Sequence, residues 1–201
     1  MVAWVAAKAS DVPLSGEQLS VSGTAPDPKH PSAPWLPAAV PGTVLSLLVD
    51  QGKVPDPNIG LASQGIADAG DGRVEYTYWW CGSFAASDGT AGESQAEEAF
   101  SWLMLDGVNY SATVFLNGSA VPCPPPRDTA PHPGGSDTAP GRTRTARASR
   151  EGAADPSPSA RGMFLSSVLD VSQLLAPPGA ANFLAVLVAP VDHPGNVSKG
   201  R

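Results

Sequence analysis

The chain offers few residues that could do covalent or acid–base chemistry. It has six glutamates, Glu17, Glu75, Glu93, Glu97, Glu98 and Glu151. Glu97 and Glu98 are adjacent, and neighbours on a strand point to opposite faces, so they cannot face each other across a glycosidic bond at about 5–9.5 Å. His30, His132 and His193 are each followed by proline and lie far apart, which is loop chemistry rather than a triad or a metal set. No glycine-rich phosphate loop stands between a strand and a helix, and no Gly-x-Ser-x-Gly elbow occurs. Cys81 and Cys123 make neither a disulfide framework nor a zinc site and read as simple thiols. The expectation is therefore no catalytic residue, no metal and no cofactor in this chain. Aromatic rings remain: Trp35, Tyr78, Trp79, Trp80, Trp102 and Tyr110. An apolar ring face suits the C–H face of a pyranose, but strand alternation assigns most of these to a core. Trp79 is the exception, falling on the less apolar side of its strand beside Thr77 and Cys81, and is a candidate sugar-stacking residue.

The elements that would hold these residues are strands. Val74, Tyr76, Tyr78, Trp80, Gly82 and Phe84 alternate with Glu75, Thr77, Trp79, Cys81 and Ser83, a period of two that predicts a strand with one strongly apolar face. Residues 100–105 and 112–116 predict two more, the first ended by Asp106-Gly107 and the second by the hairpin turn Asn117-Gly118. The apolar run 183–188 predicts a strand buried on both faces. Segments 4–8 and 19–22 are further strand candidates. One helix is predicted, with Thr43 as N-cap, Val44, Leu47 and Leu48 on one face and Gly52 as the stop, and 170–175 suggests a further helical turn.

Composition agrees. The 201 residues include 21 Gly and 22 Pro, about twice the roughly 12% of average usage. Only 15% are charged, which argues against a helical bundle. The length is too short for a complete (β/α)₈ barrel of about 250 residues. A net charge of -7 excludes nucleic acid or an anionic membrane surface as the main partner. Composition breaks between 122 and 161, where nine Pro, four Gly and six Arg occur without one aromatic, Leu, Ile or Val. Such a stretch cannot offset the entropy of ordering it. Residues 1–201 thus read as a single all-β sandwich domain with one or two short helices, interrupted by a long disordered insertion at 122–161. That insertion could alternatively be non-native coding sequence, since the pattern continues on either side.

Four segments together resemble a known family: 35–44 (WLPAAVPGTV), 54–61 (VPDPNIGL), 75–80 (EYTYWW) with Phe84, and 105–110 (LDGVNY) with 114–118 (VFLNG). They look like the N-terminal domain of family 2 glycoside hydrolases, nearest to plant-type endo-β-mannosidases and exo-β-glucosaminidases. The resemblance resumes after the insertion at 162–164, 169–171 and 184–188, running into 192–195. It implies a jelly-roll β-sandwich of the galactose-binding type, packed on a catalytic barrel that supplies both catalytic glutamates, one of them in an Asn-Glu pair. This sequence has no Asn-Glu pair. The loop 56–64 is the part the resemblance places near the sugar pocket. It has Ile59 where an aromatic is usual and Ser63 where an asparagine is usual, which leaves Asp56 as the residue carried over as a sugar contact. Asp56-Pro57 also reads as a plain turn.

The function implied is a non-catalytic, carbohydrate-binding-like domain, a fragment of a hydrolase acting on β-mannosides or β-glucosaminides. Its partners would be that β-linked carbohydrate and the catalytic barrel, with no nucleic acid and no membrane. Two other readings stand beside it: a stand-alone lectin-like module, and a non-functional truncated product. The apolar start of the chain precedes Lys8 rather than following a positive charge, so no signal peptide is read. No apolar run reaches the roughly 20 residues of a membrane span. A soluble protein is expected, its compartment open.

Overall fold

A computed structural model describes residues 3–22, 26, 34–66, 75–85, 100–122, 158–162 and 165–191. Nine strands and two α-helices occur in it: β1 (Trp4–Lys8), α1 (Gly16–Leu19), β2 (Leu36–Ala38), α2 (Val44–Asp50), β3 (Tyr78–Ala85), β4 (Trp102–Asp106), β5 (Ser111–Leu116), β6 (Ser119–Ala120), β7 (Ala160–Arg161), β8 (Ser166–Asp170) and β9 (Ala181–Ala189). The main sheet has the order β2-β1-β3-β9-β5-β6, with β7 also on β5, and β4-β8 form a second, two-stranded sheet. Every described pairing is antiparallel. The all-β architecture expected from the turn-rich composition is the one observed.

Register explains why both faces of the main sheet are apolar. Ala6, Trp80, Val186 and Val114 stand on one rung, and Val5, Cys81, Ala185 and Phe115 on the next. Side chains of successive rungs point to opposite faces. The first set joins Tyr78, Leu184, Leu116 and Leu169 of β8 in one core, with Leu103 and Leu105 of β4 and helix α2 packed against it. The second set, with Ala7 and Trp79, joins Val12, Leu19 and Trp35 in another. The main sheet is therefore sandwiched between the small sheet plus α2 on one side and the α1 region on the other. A single strongly apolar face was expected for β3; the structure buries both, because α1 covers the second. Gly16 lets α1 lie flat on Phe115, since a Cβ there would come within 2.2 Å of the ring.

Four local expectations are corrected. The β3 strand begins at Tyr78 rather than Val74, with Glu75 and Tyr76 in a helical turn, while Val74 lies outside the described residues. Segment 19–22 is not a strand: Leu19 ends α1, whose Ser15/Gln18 capping box satisfies both ends of the first turn. Segment 170–175 is not helical. Asp170 closes β8, and a turn follows with Leu174 N–H bonded to Val171 O at 2.9 Å. The composition break also overran the sheet at its far end. Ser159 is buried, and Ala160–Arg161 pair with β5, whereas residues 123–157 lie outside the described residues. Helix α2 is as expected, with Thr43 accepting from Ser46 N–H at 3.0 Å and Gly52 at φ 65 beyond its end. Asn117 (φ 50) and Gly118 (φ 84) form the tight hairpin turn from β5 to β6.

Candidate functional site

A groove of about 1140 Å³ opens beside the first core. Its floor is apolar, made by Trp4 of β1, Trp80 of β3 and Val186 and Val188 of β9, side chains that the register places on one face of the sheet. One wall is the segment 40–44 leading into α2, the other the turn 106–109 after β4. Gly42 belongs to the first wall because a Cβ there would meet the Ala39 carbonyl at 2.4 Å. Gly107 at φ 84 turns the second.

Polar groups line the rim. Thr43 is committed to capping α2. Asp106 and Asn109 are exposed, and their side chains make no hydrogen bond to another described residue, which leaves a carboxylate and an amide at the rim of an apolar, aromatic groove. That combination suits a polyhydroxylated ring, with C–H faces on the floor and hydroxyls bonded at the rim. In the sequence Asp106 reads as a turn former within the segment 105–110, because a turn signal does not say which surface a carboxylate borders.

The two residues singled out beforehand are not brought together. Asp56 sits in the loop after α2, and its carboxylate accepts from the Asn58 N–H at 2.9 Å and from Asn58 Nδ2 at 3.0 Å. This is an Asx-type turn. The same loop brings Ser63 and Ile66 to the groove, while Asp56 does not line it. Trp79 is 6% exposed and packs in the second core, its ring centroid 5.9 Å from that of Phe115. Its face is occupied by protein, on the side of the sheet opposite the groove. Cys81, next to it, is a free buried thiol whose pKa burial pushes up to about 12. The three histidines and the Glu97-Glu98 pair lie outside the described residues. Among the described residues no cluster of three His, Cys, Asp or Glu could hold a metal.

Fold and groove together define an antiparallel β-sandwich domain with an apolar groove on one face of its main sheet. The chain belongs to the family described as glycosyl hydrolase 2 galactose-binding domain-like, which it matches over residues 18–123. It is 34% identical over 195 residues to a mannosylglycoprotein endo-beta-mannosidase of Lilium longiflorum, a match spanning 96% of this chain and 16% of that protein. Its fold is similar to that of the exo-chitosanase CsxA of Amycolatopsis orientalis, with a TM-score of 0.59 at 18% identity, again over 96% of this chain and 16% of the other. A structure of the exo-beta-D-glucosaminidase CsxA in an inhibition study superposes with a TM-score of 0.60 at 18% identity and the same coverage. The chain thus spans about 16% of the length of these proteins. No helix among the described residues is long and apolar enough to cross a membrane.

Proposed function

We propose that this chain serves as the N-terminal, non-catalytic domain of a retaining glycoside hydrolase acting on β-mannosides or β-glucosaminides, and that its groove helps wall the sugar pocket. The observation that carries the reading is the 34% identity to an endo-beta-mannosidase running through 96% of the chain. A retaining hydrolase needs two carboxyl groups about 5–5.5 Å apart; here they belong to another part of the polypeptide. This domain's work is positioning: Trp4 and Trp80 give the floor, Asp106 and Asn109 hydrogen-bond sugar hydroxyls, and the loop carrying Asp56 borders the pocket at Ser63. Packing against a catalytic barrel belongs to the same proposal.

Titration calorimetry of the chain with mannose- and glucosamine-containing oligosaccharides tests it. Weak binding is expected, reduced by Asp106→Ala and by Asn109→Ala. In a hydrolase carrying this domain, the same substitutions should raise KM more than they lower kcat, and Asp56→Ala should do so to a smaller extent. Unchanged KM for all three variants would overturn the role of the groove.

A further inference from the structure

Strand β8 (Ser166–Asp170) bounds the two-stranded sheet, and among the described residues it is paired only on its β4 side. The ladder fixes which backbone groups that pairing uses. Val171 N–H bonds Ser101 O at 3.0 Å, in the same register that sets Leu169 opposite Leu103 and Ser167 opposite Leu105. Hydrogen-bonded pairs alternate along an antiparallel ladder, so Val171, Leu169 and Ser167 turn their backbone groups toward β4. Ser166, Val168 and Asp170 turn theirs to the open side, where no described residue bonds them. The SSVLD edge has no lysine, no proline and no bulge, the devices that keep open strands from pairing.

The side chains select the occupant. Leu169 is buried, so Ser166, Val168 and Asp170 share the outer face, the first and last exposed and Val168 half-buried. Laid antiparallel against itself about Val168, the strand sets Val168 opposite Val168 of the second copy and Ser166 opposite Asp170. Ser172 holds Asp170 Oδ1 through its N–H at 3.0 Å and its hydroxyl at 2.6 Å. Oδ2 is left for the Ser166 hydroxyl of the second copy. The next pair in that register is Leu165 opposite Val171, of the close, non-hydrogen-bonded kind. It covers Leu165, which is 64% exposed in the single chain. The two Asp170 carboxylates fall at opposite ends, whereas parallel pairing would set them side by side at a cost.

We propose that the open edge of β8 is a self-association surface, at which two copies of this chain pair antiparallel about Val168 into one β4-β8-β8-β4 sheet. Three hydrogen-bonded residue pairs add about six backbone bonds between the copies. A contact one five-residue strand long is far smaller than the roughly 1,600 Å² of a standard interface. The association is therefore reversible and weak, with a Kd on the order of 100 µM. Neither Leu165 nor any residue of β8 lines the groove, so this surface stands or falls independently of what the groove binds.

Sedimentation equilibrium of the full 201-residue chain, with a thiol reductant present, tests this. Between about 10 µM and 1 mM the mass should rise from monomer toward dimer. Val168→Lys and Val168→Glu each set like charges directly opposite one another, and each variant alone should stay monomeric. Mixed in equal amounts they should dimerise again, as pairing of position 168 with itself requires. Ser166→Pro removes a donor that β4 does not use and should weaken association at least about tenfold. Circular dichroism of the variants should match the parent, because none of the three substitutions touches a bond to β4. The proposal is overturned by a monomer at about 1 mM, by a dimer that survives Val168→Lys, or by a mixture of the two charge variants that stays monomeric. A mass that climbs past the dimer, or a dimer that Trp102→Ala on β4 dissolves and Val168→Lys does not, also overturns it.

Discussion

Asn117 donates from Nδ2 to Oδ1 of Asn182 at 2.8 Å, joining the β5–β6 turn to the start of β9. Asn182 is fully buried, and its Oδ1 also accepts from the Ala176 N–H at 2.8 Å. Asn117 in turn donates to Leu174 O and accepts from the Phe183 N–H. Three separate stretches of chain thus meet on two amides, and every described buried polar side-chain atom has a partner. Asn182→Leu removes the acceptor while leaving both donors in place. Each buried group so orphaned costs about 1–3 kcal/mol, so urea unfolding should show a loss in that range or somewhat above it, with an unchanged m-value.

Trp79 illustrates a different kind of constraint. Its position beside Phe115 makes it core, so Trp79→Ala should destabilise the domain by about 3–5 kcal/mol. Any oligosaccharide affinity measured on the fraction that stays folded should match the unsubstituted chain. A selective loss of sugar binding with intact stability would instead return Trp79 to a ligand-facing role.

The contrast between Trp79 and Trp80 marks how far the residues alone could be read. Alternation placed the two on opposite faces, and the register confirms that. It could not say that α1 would close over the Trp79 side, because α1 is four residues long and its signal is the Ser15–Gln18 capping box rather than a hydrophobic stripe. Strands β3, β5 and β9, the α2 cap and the Asn117-Gly118 turn were legible because each is specified locally. The ends of the elements were not. Asp170 read as a helix start because a carboxylate that caps and one that closes a strand onto Ser172 are the same residue in a list. The groove was legible in part: the segments 35–44 and 105–110 were marked, but which of their residues face each other depends on long-range pairing.

Cys81 should be inert. Its thiol is pushed up to about 12 by burial, so the folded protein holds almost no thiolate at pH 8. In a Cys123→Ser background, iodoacetamide should label Cys81 only through unfolding, at a rate that rises with urea. The sign of the pH effect follows. The stabilisation is complete below the ordinary value of 9.0 and is lost as pH rises from there through about 12, because the unfolded thiol ionises first.

Asp170 gives the opposite sign. Ser172 holds its carboxyl below the ordinary 3.8, so its contribution is present above that value and is lost as pH falls through the lower folded pKa. A carboxyl NMR titration should place its midpoint below 3.8, and Ser172→Ala should move it back up. An unshifted midpoint in the unsubstituted chain would mean that Ser172 does not hold the carboxylate in solution.

Ser159 follows the proline- and arginine-rich stretch in the sequence and is buried. Its hydroxyl donates to Val121 O at 2.6 Å and accepts from the Val114 N–H at 3.0 Å. It therefore ties the segment leading into β7 to β5 and to the residue just after β6, and both contacts are buried. Two consequences can be separated. Ser159→Ala should cost about 1–3 kcal/mol, the usual penalty for a buried amide left without its acceptor. Excising residues 123–157 and joining the ends through a short Gly/Ser linker should leave the domain folded, because the two ends already meet at this hydroxyl. Retained near-ultraviolet circular dichroism and a denaturation midpoint no lower than that of the parent are the expected results, while a molten product would mean that the excised residues supply part of the core.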